Sequence, residues 1–133
     1  MIKIRINKDS KYVAKIILYN SSGKVLMLVR SQDHDKFPGE LDLPGGHTHI
    51  GEDIRAGLSR EVKEETGITI KKAKFYKKKK NKYFFYAKYQ NQDINLSKEH
   101  TSYTFVDRKK LKKENFFESI AIDVLEKVKQ DED

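Results

Sequence analysis

Three glutamates, Glu61, Glu64 and Glu65, crowd into the run Arg60-Glu61-Val62-Lys63-Glu64-Glu65. In a helix the spacing i, i+3, i+4 puts them on one face. Two unit charges about 5 Å apart repel by about 3 kcal/mol at an effective dielectric of about 20. Either a carboxyl takes a proton or a cation compensates. An all-oxygen set suits a hard divalent ion, so Mg²⁺ or Mn²⁺ is expected rather than Zn²⁺.

Glu52 to Glu65 reads as the helix that carries these acids, with Gly67 able to take a left-handed cap. At about 100° per residue, Ile54 falls between Glu61 and Glu65, with Leu58 and Val62 beside them. Arg55, Ser59 and Lys63 lie opposite. A solvated helix would place its acids opposite the apolar arc, and Glu61 and Glu65 are not there. Glu64 is nearer the border, and the wheel alone allows it to be at the surface. Arg60 lies on the flank, where it can pair Glu52 or a ligand carboxylate. Gly57 sits mid-helix at a cost of up to about 1 kcal/mol; the wheel turns it toward the sheet, where close packing would account for it. Upstream, Pro44-Gly45-Gly46 ends a strand and leads through a loop into the helix. Glycines there let backbone approach an ion or a phosphate.

The elements around this stretch alternate. Met1–Ile6 reads as a short edge strand. Tyr12–Tyr19 and Lys24–Arg30 form a hairpin about Asn20-Ser21-Ser22-Gly23. Ser31–Glu40 is a polar loop and Leu41–Leu43 a brief strand. Ile68–Tyr76 and Lys82–Tyr89 are strands around a basic turn, Lys77–Asn81, and Tyr103–Val106 is another. Asn115 caps a last helix to Lys129, with Phe117, Ile120, Ala121, Val124, Leu125 and Val128 on one face. Strands and two helices interleave without repeat or linker, so we expect one α+β domain over residues 1–133, a mixed sheet covered by helices.

Composition bounds the function. At 37% hydrophobic and 36% charged, the chain is globular with a wetted surface, and no apolar run approaches a membrane span. The first residues lack the pattern of a signal peptide. Without cysteine there is neither a disulfide framework nor a thiolate metal site, which suits a reducing cytoplasm. A net charge of +8 favours anionic partners, although the excess is almost wholly lysine and can equally reflect compositional bias.

Gly46, Glu52 and Arg60-Glu61-Val62-Lys63-Glu64-Glu65-Thr66-Gly67-Ile68 match the Nudix box at each specified position, over residues 46–68. The lead-in KVLMLVR with Leu43-Pro44-Gly45-Gly46, and the late segment Glu99-His100 with Tyr103-Thr104-Phe105-Val106 and Leu111, resemble that family too. The likeness covers roughly residues 12 to 128. It implies an α/β/α sandwich whose box forms loop–helix–loop, and Mg²⁺-dependent hydrolysis, with Mn²⁺ as a substitute, of a nucleoside diphosphate linked to another group, X. By position, Glu61, Glu64, Glu65 and the Gly45 carbonyl would ligate metal. Glu52 and Arg60 would be the bracing pair. Glu99 matches a late acid that in some members binds metal or serves as base, so the base stays open between Glu99 and the helix cluster. Arg30 and Gly46 would meet substrate. His47 and His49 read as exposed loop residues.

The resemblance leaves the substrate open. The first expectation is a nucleoside triphosphate cut to a monophosphate and pyrophosphate. A dinucleoside polyphosphate or an RNA 5′ end is the alternative; Tyr86 falls near a tyrosine of some dinucleoside-polyphosphate hydrolases, but Pro44-Gly45-Gly46 is not their usual Lys-Gly variant. A non-catalytic nucleotide- or RNA-binding module is the reading from another class, opposed by the intact acidic set. Tyr83-Phe84-Phe85-Tyr86 reads as sheet packing, half of it facing the core, and Lys77–Lys80 with Lys82 as a solvated hairpin tip. We expect no membrane partner, and a monomer or homodimer.

Overall fold

The computed structural model describes residues 11–32 and 39–132. The expected strand Met1–Ile6 and most of the loop before Glu40 lie outside them. Strands β1 (Val13–Tyr19), β2 (Val25–Arg30), β3 (Leu41–Asp42) and β4 (Gly45–His47) precede helix α1 (Ile54–Thr66). Strands β5 (Lys74–Lys79), β6 (Lys82–Lys88) and β7 (His100–Val106) follow, then helix α2 (Phe116–Glu132).

The strands form one mixed sheet ordered β3-β2-β1-β6-β5, with β4 added on β1 and β7 on β2. Among the described residues only the β1–β6 pair is parallel. Alternation along each strand sends side chains to two cores. Ala14, Ile16 and Leu18 of β1, with Leu26, Leu28, Tyr83, Phe85 and Ala87, meet Ile54, Leu58 and Val62 of α1. Ile17, Val25, Met27, Phe84 and Tyr86 meet Ile120, Ala121, Val124 and Leu125 of α2. The result is an α/β/α sandwich, the architecture expected. All four residues of Tyr83-Phe84-Phe85-Tyr86 are buried, not half of them, because both faces of the sheet are covered.

The hairpin of residues 12–30 is real but brief. β1 and β2 are in register only at Tyr19↔Val25. Beyond that pair they diverge: β1 takes β4 as its neighbour, Lys15 opposite Gly45, and β2 takes β7 and β3. The segment Asp42–Gly45 crosses the resulting seam, and the Ile16 N–H donates to the Pro44 carbonyl at 3.0 Å.

Other boundaries shift for local reasons. Ile68–Ala73 is not strand. Ile68 packs into the α1 core, Thr69 exchanges two hydrogen bonds of 2.8 Å with the Gln92 side chain, and Lys72 takes φ 56°. The basic turn narrows to Lys80-Asn81, since Lys77–Lys79 belong to β5. α2 runs to Glu132, past the expected end at Lys129, and Asn115 Oδ1 accepts the Glu118 N–H at 3.0 Å as its cap.

Candidate active site

α1 begins where the Asp53 carboxylate accepts the N–H groups of Arg55 and Ala56, both at 3.1 Å. It ends at Gly67, which takes φ 77° and returns its N–H to the Lys63 carbonyl at 2.9 Å. Between these caps the helix presents its acids at three depths. Glu65 is buried, only 5% exposed. The Glu61 side chain is half-buried, and that of Glu64 is 58% exposed. The wheel had placed Glu65 among the apolar residues and Glu64 at the border.

Arg60 holds the outer acids together. Its Nε donates to Glu52 Oε2 at 2.8 Å and its Nη2 to Glu52 Oε1 at 3.0 Å. Nη1 reaches Glu61 Oε1 at 3.1 Å and Glu64 at 3.2 Å. The hydrogen bonds from Arg60, with one from the His49 N–H, lower the Glu52 pKa to about 2, and those carboxylates raise that of Arg60. The loop from His47 to Glu52 is thereby fixed to the helix: the His47 carbonyl accepts from Arg60 Nη2 at 3.2 Å, and the His49 N–H donates to Glu52 at 2.8 Å. The backbones of these histidines do the holding, and their side chains are exposed. Gly57 packs against this loop and not the sheet: a Cβ there would lie 2.7 Å from the Thr48 methyl and 3.0 Å from Glu52 Oε1.

Glu65 turns inward. Its Oε1 accepts the Gly45 N–H at 2.6 Å. Burial raises its pKa to about 8 against the opposing charge of Lys15 and the Gly45 hydrogen bond, with Asp42 and Glu61 adding to the rise. Gly45 itself has φ 120°, and a Cβ would fall 2.1 Å from the Ala14 carbonyl oxygen. At Gly46 a Cβ would fall 2.7 Å from Glu61 Oε2, so the absent side chain leaves the space Glu61 occupies.

These residues fit a hard divalent ion. The donors are carboxylate and carbonyl oxygens, burial raises the pKa of the enclosed Glu65 carboxyl, and glycine leaves room beside Glu61. The Glu99 side chain is exposed, and among the described residues no hydrogen bond or ion pair ties it to the cluster, although its neighbour His100 meets Asp42 and Glu65. Arg30 is directed at Asp42, 3.2 Å away.

Three residues escaped the sequence reading. Lys15, Asp42 and His100 are 5%, 2% and 4% exposed, and Asp42, His100 and Glu65 form a tight buried group. The signal was a lysine within the apolar run Tyr12–Tyr19 and an aspartate between Leu41 and Leu43, since buried charge is rare unless paired. His100 reaches Glu65 because the chain before β7 is tied to the end of α1, the Asn95 N–H on the Thr66 carbonyl at 2.7 Å and the Ser97 N–H on the Glu65 carbonyl at 2.9 Å.

Comparison with known proteins agrees with this architecture. The NUDIX domain family model matches residues 10–123. Over 56 residues the chain is 46% identical to nucleoside diphosphate-linked moiety X motif 6 of Xenopus laevis, covering 42% of this chain and 24% of that protein. The chain spans between 10% and 35% of the lengths of the curated relatives it matches. Its fold is similar to the MutT protein of Methanosarcina mazei Go1, with TM-score 0.67 and 26% identity over 88% of this chain and 93% of that one. It is also similar to a C. elegans Ap4A hydrolase, with TM-score 0.66 and 23% identity over 89% and 96% of the two chains. With a family model covering most of its length and the box folded as loop–helix–loop, the chain belongs to the NUDIX domain family.

Proposed function

We propose that the chain is a Mg²⁺-dependent hydrolase of a pyrophosphate bond in a nucleoside diphosphate linked to X, with a nucleoside triphosphate as its substrate and a monophosphate and pyrophosphate as its products. The observation that carries this reading is Glu65, a buried carboxyl against the Gly45 amide, on the helix that also presents Glu61 and Glu64. Those three carboxylates and the Gly45 carbonyl would hold the ion. A bound divalent ion neutralises phosphate oxygens and lowers the pKa of the attacking water.

The chain's own residues do the rest. Glu52 fixes Arg60, and Arg60 keeps Glu61 and Glu64 gathered at the end of the helix. Attack by water at phosphorus breaks the anhydride P–O bond, and the water's proton passes to a carboxylate of this cluster or to Glu99. Arg30, anchored on Asp42, and Gly46 are the substrate contacts in this reading. Tyr86, the residue that suggested a dinucleoside polyphosphate, lies in the core against Tyr76.

A panel of nucleoside triphosphates, dinucleoside polyphosphates and 5′-triphosphorylated RNA, with products identified by mass, tests this. Monophosphate and pyrophosphate released only with Mg²⁺ are expected. Turnover that survives complete chelation by EDTA, or release of orthophosphate alone, would overturn it.

A further inference from the structure

Lys15 is out of place by composition and satisfied by geometry. It sits on β1 between Ala14 and Ile16, which face α1, so its side chain leaves on the α2 side, over the Phe117 ring at 5.6 Å. Its ammonium has three hydrogens, and three acceptors receive them: Asp42 Oδ1 at 3.1 Å, the Leu43 carbonyl at 3.0 Å and the Gly45 carbonyl at 2.9 Å. Asp42 Oδ2 meets His100 Nε2 at 3.1 Å and Arg30 at 3.2 Å. An ionised carboxylate only accepts, so Nε2 carries the hydrogen. The other ring nitrogen, Nδ1, then faces Glu65 Oε2 at 3.8 Å, and it has no hydrogen-bond partner among the described residues.

The contacts close a ring. From the Gly45 carbonyl they run through Lys15, Asp42 and His100 to Glu65, whose other oxygen returns to the Gly45 N–H. Well-packed apolar residues would hold a buried seam as well as an ion pair or better. The group meets two places in particular, the Gly45 carbonyl through the Lys15 hydrogen bond and the Glu65 carboxyl through the His100 ring packed 3.8 Å away, and both are ligands in the reading above.

We propose that Lys15, Asp42 and His100 are positioning residues that fix the Gly45 carbonyl and the Glu65 carboxyl for a divalent ion. The proposal rests on the metal-hydrolase reading and adds where the ligand geometry comes from: the sheet sets it before metal arrives. Mg²⁺ demands near-ideal octahedral geometry, whereas Ca²⁺ tolerates irregular sites. A preset site therefore favours Mg²⁺ over Ca²⁺, and loosening it erodes that preference.

Lys15→Met keeps the stem and removes the three donors, leaving Asp42 with Arg30 and His100. His100→Leu removes both ring nitrogens, leaving Asp42 with Lys15 and Arg30. Mn²⁺ binding to each full chain is followed by water-proton relaxation, with Mg²⁺ and Ca²⁺ as competitors. Turnover at saturating metal gives kcat and nucleotide KM, and circular dichroism checks the fold. Each variant is expected to bind Mn²⁺ about tenfold or more weakly, the range for residues that orient metal ligands, and to lose Mg²⁺ preference over Ca²⁺ while nucleotide KM stays within about twofold. Folded variants with the parent's Mn²⁺ affinity and Mg²⁺ preference would overturn the proposal and leave the ring a structural tie. If one variant does not fold, the other decides; if neither folds, the ring serves stability and the proposal falls. Failure of the unmodified chain to bind Mn²⁺ would be a different result, removing the metal-hydrolase reading itself.

Discussion

The Glu65 carboxyl and the Gly45 amide meet at 2.6 Å, at the point where the acidic helix touches the sheet. Burial holds Glu65 protonated to about pH 8, so a divalent ion must displace that proton. Metal affinity should rise with pH until about 8 and level off above it, with proton release seen as a buffer-dependent heat in calorimetry. A flat profile from pH 6 to 8 would remove Glu65 from the ligands.

The same group sets a stability trend in the metal-free chain. Its folded pKa, about 8, exceeds the ordinary glutamate value of 4.5. The folded state therefore binds the extra proton, and the stabilisation from Glu65 is complete below about pH 4.5 and lost as pH rises through 8. Glu65→Gln should melt higher than the parent at pH 9 and close to it at pH 5. Thermal melts in EDTA across that range would show it.

Asp42 behaves oppositely. Burial raises its pKa, but the His100 hydrogen bond and the charges of Lys15 and Arg30 outweigh that and hold it at about 2. Its contribution is present above pH 3.8 and lost as pH falls toward 2. Asp42→Asn leaves the Lys15 ammonium buried without its counter-charge and should cost about 3–5 kcal/mol in denaturant unfolding at pH 7.

The paired glycines should separate fold from site. Gly45→Ala sets a Cβ 2.1 Å from backbone at φ 120°, which neither β1 nor β4 can accommodate, and should lower the melting temperature sharply. Gly46→Ala meets the Glu61 side chain first, with the carboxylate oxygen 2.7 Å from the added Cβ. It should stay within about 1 kcal/mol of the parent in stability and lose turnover as Glu61 is displaced.

Glu64 offers the complementary case. Its ion pair with Arg60 is exposed, and such pairs contribute about 1 kcal/mol or less. Glu64→Gln should leave the melting temperature nearly unchanged while kcat falls by orders of magnitude. Near-normal turnover would take Glu64 out of the site.

Much of this was legible in the chain because periodicity is local. The arc Ile54, Leu58, Val62 fixed the buried face of α1 and showed that Glu65 belonged to it. Glu64 needed the box, since its position on the wheel is that of any surface acid. Gly57 was turned toward the sheet, but a wheel gives a direction and not a neighbour, and the neighbour is the loop that Glu52 and Arg60 hold down. The β-branched run Ile68-Thr69-Ile70 has strand propensity, yet its contacts to the α1 core and to Gln92 decide otherwise. Lys15, Asp42 and His100 stand singly on three strands; the pairing of β2 with both β3 and β7 brings Asp42 to His100, and the pairing of β1 with β4 sets Lys15 opposite Gly45, beside them.

The single residue pair between β1 and β2 divides the sheet into two leaves, one built on β1–β6–β5 and the other on β3, β2 and β7. Within each leaf, ladders of backbone hydrogen bonds do the joining, and side-chain substitutions hardly alter them. Between the leaves the backbone join is thin, the Tyr19–Val25 pair and the Ile16 N–H on the Pro44 carbonyl, and side chains add the two apolar cores and Lys15 reaching across to Asp42. Side chains therefore carry more of the join at this seam than elsewhere in the sheet, and the acidic helix meets the sheet beside it, at Gly45.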